Sequence, residues 1–175
     1  MLQLDPFDAV LPAAMVDLRP IRTDDGPRLQ AFMHDLSEES RYFRFMDAIR
    51  ELPPNLLRYF VEIDFDVDMA LLAVIRPANE EETVVGVARY YGDDDGQGCE
   101  FAIAVADAWH HHGLGHRLMH ALMDCARQQG YQRLHGEVMA ENSKMLVLMR
   151  HLGFTMRRCP DDPAIQHVER ELLAA

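Results

Sequence analysis

Residues 99–127 read CEFAIAVADAWHHHGLGHRLMHALMDCAR, and three successive patterns in that stretch decide the fold. Cys99 to Val105 is an apolar run of strand length with one carboxylate, Glu100, near its head. Trp109-His110-His111-His112-Gly113-Leu114-Gly115 is a glycine-bearing turn. Gly113 to Arg127 then carries Leu114, Leu118, Ala121, Leu122 and Cys125 at helical spacing, and Gly130 supplies the C-cap. A strand feeding a helix through such a turn leaves N–H groups and the positive helix end where phosphate oxygens can sit. Glycine there lets an anion touch the backbone. The same G-x-G also reads as mere relief of a tight turn, and the pattern alone leaves both readings open. Two nucleotide motifs are excluded. A P-loop needs Lys then Ser or Thr where His116-Arg117 stand, and a Rossmann fingerprint needs a third glycine and an opening βαβ unit.

Working outward, Met69 to Ile75 and Thr83 to Tyr91 are strands joined across a polar turn, and Asp93-Asp94-Asp95-Gly96 turns the chain into the Cys99 strand, giving an antiparallel meander. Upstream, Met15 to Ile21 is a short strand, and Thr23-Asp24-Asp25 caps a helix bearing Leu29, Phe32, Met33 and Leu36. Leu36 to Phe45 reads as an aromatic loop or short turn, and Pro53-Pro54 opens a helix carrying Leu56, Leu57, Phe60 and Ile63. Downstream come a strand over Leu134 to Met139, a helix from Asn142 closed by Gly153, and strands over Phe154 to Arg158 and Gln166 to Leu172. The expected order is β-α-α-β-β-β-α-β-α-β-β, an α+β fold with helices on both faces of a sheet. One domain over residues 16–175 is expected, preceded by an N-terminal arm over residues 1–15.

Of 175 residues, 49% are hydrophobic and 26% charged, as in one soluble globular domain. No stretch reaches the roughly 18 uninterrupted apolar residues of a membrane span, and Asp5 and Asp8 stand where a secretory signal would be basic, so a cytoplasmic location without membrane partners is expected. A formal charge of -12 repels phosphate backbones and draws cations, which argues against nucleic acid as a partner. Cys99, Cys125 and Cys159 are odd in number and lack C-x-x-C spacing, so they read as reduced packing residues.

On these residues the sequence resembles the GNAT superfamily of acyl-CoA-dependent N-acyltransferases, whose phosphate turn reads Q/R-x-x-G-x-G/A. Gly113 and Gly115 match it, with His110 at the Gln or Arg position. Asn142-Ser143-Lys144-Met145 ahead of His151-Leu152-Gly153-Phe154 is similar to the family's second cofactor segment. Leu36 to Phe45, Val85-Gly86-Val87-Ala88-Arg89 and Glu100-Phe101-Ala102-Ile103 further resemble the transferase domain of bacterial protein lysine acetyltransferases. The resemblance covers about residues 16 to 173 and implies a GNAT-like mixed, mainly antiparallel sheet of six to seven strands.

It also implies a site. Ile103, Ala104 and Val105 would hydrogen-bond pantetheine, and His110, His111, His112, Gly113, Leu114, Gly115 and His116 would surround the diphosphate of acetyl-CoA or another acyl-CoA, with Asn142 in the second segment. Glu100 takes the position of the family's catalytic glutamate. A base is needed because a lysine of pKa about 10.4 costs about 4.6 kcal/mol to neutralise at pH 7. The family's usual Tyr acid is replaced by Met149, and a thiol of pKa near 8.5 departs unaided at a penalty of about 2 kcal/mol. Arg41, Tyr42, Arg44, Tyr90 and Tyr91 suit the core more than an acceptor groove and are left out of the site. His112, His116 and His120 have i, i+4 spacing that could meet one metal ion, but the first two lie in the cofactor turn and no metal is expected. The implied activity is acetyl transfer to a primary amine, a protein lysine or else a small amine, with a noncatalytic acyl-CoA sensor as the alternative. A homodimer is one arrangement open to such a chain.

Overall fold

The computed structural model describes residues 15–78 and 80–172, so the expected arm over residues 1–15 lies outside the described residues apart from Met15. The β-branched and apolar runs form strands β1 (Asp17–Pro20), β2 (Met69–Ile75), β3 (Thr83–Gly92), β4 (Gly98–Val105), β5 (Arg133–Met139), β6 (Thr155–Arg158) and β7 (Ile165–Glu171). They make one seven-stranded sheet in the order β1-β2-β3-β4-β5-β7-β6. Only β4 and β5 run parallel; every other neighbour is antiparallel. This is the expected α+β architecture.

Helices α1 (Gly26–Asp35), α2 (Glu38–Phe45) and α3 (Pro54–Val61) precede β2, α4 (Leu114–Gln129) follows β4, and α5 (Ser143–His151) follows β5. Two apolar cores lie on opposite sheet faces because strand side chains alternate. Leu118, Leu122 and Met123 of α4 and Met149 of α5 pack with Ala88, Tyr90, Phe101 and Ile103. Leu29, Phe32 and Phe60 of α1 and α3 pack with Leu72, Val74 and Val87. Among the described residues no helix is long and apolar enough to cross a membrane.

The stretch expected as a loop over Leu36 to Phe45 is instead the helix α2, one helix more than the expected order. Ser37 caps it, its side chain accepting from the Ser40 N–H (3.1 Å), and Met46 ends it in the left-handed region, φ 53°. None of its residues is fully buried and it carries no aliphatic residue, so the aliphatic stripe that marks the other helices is missing there. Asp107, just past β4, pins it: its carboxylate accepts from Ser37 N–H (2.9 Å), Ser37 Oγ (2.8 Å) and Ser40 Oγ (2.8 Å). The start of the helix is thereby tied to the segment that follows β4.

The parallel ladder between β4 and β5 is short. It pairs Gly98, Cys99 and Glu100 with Arg133, Leu134 and His135 and then stops. Phe101 to Val105 remain paired with β3 alone. The Phe101 ring lies against β5 where Gly136 has no side chain; a Cβ there would come within 2.8 Å of the ring.

Burial acts to raise the Asp107 pKa, but the three hydrogen bonds from Ser37 and Ser40 outweigh it and hold the carboxyl below its ordinary value. The sign follows: the stabilisation is present above the unfolded carboxylate value and is lost as pH falls through the lower folded value. We expect Asp107→Ala to cost about 1 kcal/mol in urea unfolding at pH 7, and the gap from the unaltered chain to close as pH falls below about 3.9.

Candidate functional site

The positive end of α4 faces a groove built by four segments. The first intrahelical bond of α4 runs from the Arg117 N–H to the Gly113 carbonyl (3.1 Å), so the amides of Leu114 and Gly115 stand ahead of the helical ladder. Gly113 has φ 76° and His111 φ 62°, both left-handed, which turns successive N–H groups toward one concavity. Gly115 meets α5: an added Cβ would lie 3.2 Å from Leu148 Cδ2. Asn142 caps α5 from the opposite wall, its Oδ1 accepting from Met145 N–H (3.2 Å).

Ile103, Ala104, Val105, His110, His111, Gly113, Leu114, Gly115, His116 and Asn142 all line this one groove. His112 does not line it and is exposed. His110 has a structural use as well, since its Nε2–H donates to the Val105 carbonyl (2.8 Å) and so ties the turn to the end of β4. The His116 ring lies beside that of His151, 5.8 Å between centroids. Among the described residues no group of three His, Cys, Asp or Glu side chains is placed to hold a metal ion.

Glu100 is not in the groove wall. It stands exposed at the last rung of the β4–β5 ladder, registered with Tyr91 on β3 and His135 on β5, and so on the sheet face that carries α1 to α3. His135 is held by the Asp93 carboxylate (2.9 Å). Tyr91 stacks on Tyr59, 5.9 Å between ring centroids.

Several groove residues were not among the expected site residues. Glu39, Ser40, Phe43 and Arg44 reach the groove from α2, and Lys144, Met145, Leu148 and His151 reach it from α5. The aromatic and basic residues set aside above divide. Tyr90 is core at 1% exposure, and Arg41 binds the Leu36 carbonyl at the end of α1, whereas Arg44 lines the groove and Tyr91 flanks Glu100. Met149 is fully buried between α5 and the sheet. The three cysteines are free, and burial, reinforced by the Asp93 charge, pushes the Cys99 thiol up to about 12, which disqualifies it as a nucleophile at neutral pH.

A phosphate-type turn and a short parallel ladder that stops beside a carboxylate define a class. The acetyltransferase (GNAT) family matches residues 29–154, and the chain belongs to this family of acetyltransferases. It is 36% identical over 145 residues to Acetyltransferase PA5475 of Pseudomonas aeruginosa, covering 83% of this chain and 77% of that protein. It is 30% identical over 137 residues to Acetyltransferase Pat of Mycolicibacterium smegmatis, matching 78% of this chain but spanning only 40% of that protein. The GNAT domain of S. lividans PAT superposes with a TM-score of 0.80 at 26% identity, covering 89% of this chain and 90% of that one. The yncA protein of Salmonella typhimurium, solved with its cofactor acetyl-CoA, shares the fold at a TM-score of 0.72 and 16% identity, covering 92% of this chain and 96% of that one.

Gly113 tests the turn. An L side chain at its left-handed φ costs about 1–2 kcal/mol, so Gly113→Ala is expected to lower stability by about that amount in urea unfolding.

Proposed function

We propose that the chain transfers an acetyl group from acetyl-CoA, or a related acyl group from another acyl-CoA, to a primary amine, with a protein lysine side chain as the acceptor. One observation carries this reading: the amide end of α4, the β4 residues beyond the ladder and Glu100 at the ladder's last rung follow one another in space. The fit to CoA rests on chemistry present in the chain. The left-handed turn and the start of α4 suit a diphosphate, Lys144 and His111 add cationic or donor character, and Ile103 to Val105 present backbone on the side β5 has left.

Glu100 then acts on the amine. It accepts a proton from the amine, directly or through water, as the new acyl bond forms. Its place beside the parting of β4 and β5 supports this role, because an amine entering from the α1–α3 face would pass the carboxylate on its way to β4. Met149 offers no proton and is buried in the core, so leaving-group protonation falls to solvent. The lysine assignment is supported by the resemblance of Leu36 to Phe45, Val85 to Arg89 and Glu100 to Ile103 to protein lysine acetyltransferases, and by a net charge of -12 that attracts cationic segments.

We expect Glu100→Gln to lower kcat by about 100-fold or more with CoA affinity kept within about twofold, measured by CoA release with lysine peptides and by calorimetry. Unchanged kcat would remove Glu100 from the chemistry. CoA binding that no amine converts into CoA release would leave the noncatalytic sensor reading.

A further inference from the structure

The guanidinium groups of Arg44 and Arg89 both lie over the Phe60 ring, and among the described residues neither has a carboxylate partner. Arg89, on β3, is 2% exposed; its Nη1 donates to the Tyr91 hydroxyl (3.0 Å) and its Nη2 to the Phe60 carbonyl (3.3 Å), while its Nε has no partner. Its Cζ lies 4.3 Å from the Phe60 ring centroid. Arg44 lines the groove and reaches the same ring from 5.9 Å and Phe45 from 4.7 Å. Among the described residues the Arg44 guanidinium makes no hydrogen bond or ion pair.

This is not how the chain treats its other well-buried arginine. Arg19 is answered by Asp25 (2.7 Å) and by Glu82. Burial, with the like charge of Arg89 next, pulls the Arg44 pKa down to about 10, although Tyr91 and Glu100 act in the opposite sense. Glu100 forms an ion pair with neither arginine among the described residues. Two like charges kept near each other in a partly dry pocket are costly, and an anion between groove and acceptor face would relieve the cost.

We propose that Arg44 and Arg89 form a carboxylate-recognition subsite at the acceptor end of the groove. Arg44 supplies the planar fork that a carboxylate fits, and Arg89, its Nη groups already engaged by neutral oxygens, supplies charge behind it. The carboxylate belongs either to the acyl chain or to the acceptor beside its amine. The assignment rests on the reading of the groove as an acyl-CoA site. An acetyl donor with an acceptor lacking a carboxylate brings neither guanidinium a hydrogen-bonded anion.

Two arms separate the sources. In the first, CoA, acetyl-CoA and succinyl-CoA are titrated calorimetrically into the protein. In the second, kcat/KM for acetyl transfer is compared between a peptide with Glu beside its lysine and the same peptide with Gln there. The unaltered chain is expected to favour the carboxylate-bearing partner by about tenfold in one arm. Arg44→Gln is expected to bring that ratio to about one, and Arg44→Lys to retain part of it. Each ratio compares two ligands on one variant, and the first reading needs no variant at all. Ratios near one in both arms, or a preference that survives Arg44→Gln, would overturn the subsite. Failure of CoA itself to bind would overturn the groove reading, and the subsite with it.

Discussion

The organisation of this molecule depends on a parallel β-ladder only three pairs long. β4 is held to β5 from Gly98 to Glu100 and to β3 along almost its whole length. A buried strand must satisfy its N–H and C=O groups on both sides, so a strand released by one neighbour needs another partner. Here the last of the released residues, Ile103 to Val105, line the groove, the helix that follows them is capped by a left-handed glycine, and Glu100 occupies the last rung. The contact of Phe101 with Gly136 shows that the side chains fit the parting of the strands, because any larger residue at 136 would strike the ring.

Electrostatics divide the chain by location. The protein as a whole carries a formal charge of -12, yet the groove gathers the positive end of α4, Lys144 and Arg44 alongside Glu39, and Arg89 shares the Phe60 ring with Arg44. These positive groups suit a donor rich in phosphate. The Asp107 clamp links the two regions, since it fixes the helix that presents Ser40, Phe43 and Arg44 to the turn that opens α4.

Much of this was legible in the sequence. The strand, glycine turn and helix of residues 99–127 lie where their periodicity places them, and Asn142 and Gly153 bound α5 as read. The helix α2 was hidden because its residues are all at least partly exposed and none of them is aliphatic, although Ser37 followed by Glu38 and Glu39 is a capping signal. With it went the groove wall from Glu39 to Arg44. Pairing across strands was equally out of reach: nothing local to Glu100 announces that Tyr91 and His135 flank it. The histidine run resisted reading for a different reason, since His110 bonds backward to Val105 and His112 leaves the groove, a division that depends on the backbone signs of His111 and Gly113.

The most direct test of the central claim is the crystal structure of the protein grown with CoA. The account predicts the diphosphate against the amides that open α4, at Gly113 to His116, and the pantetheine arm extended along Ile103 to Val105 with its thiol reaching the parting of β4 and β5 near Glu100. CoA bound on any other surface, or a diphosphate held away from the Gly113 turn, would contradict it.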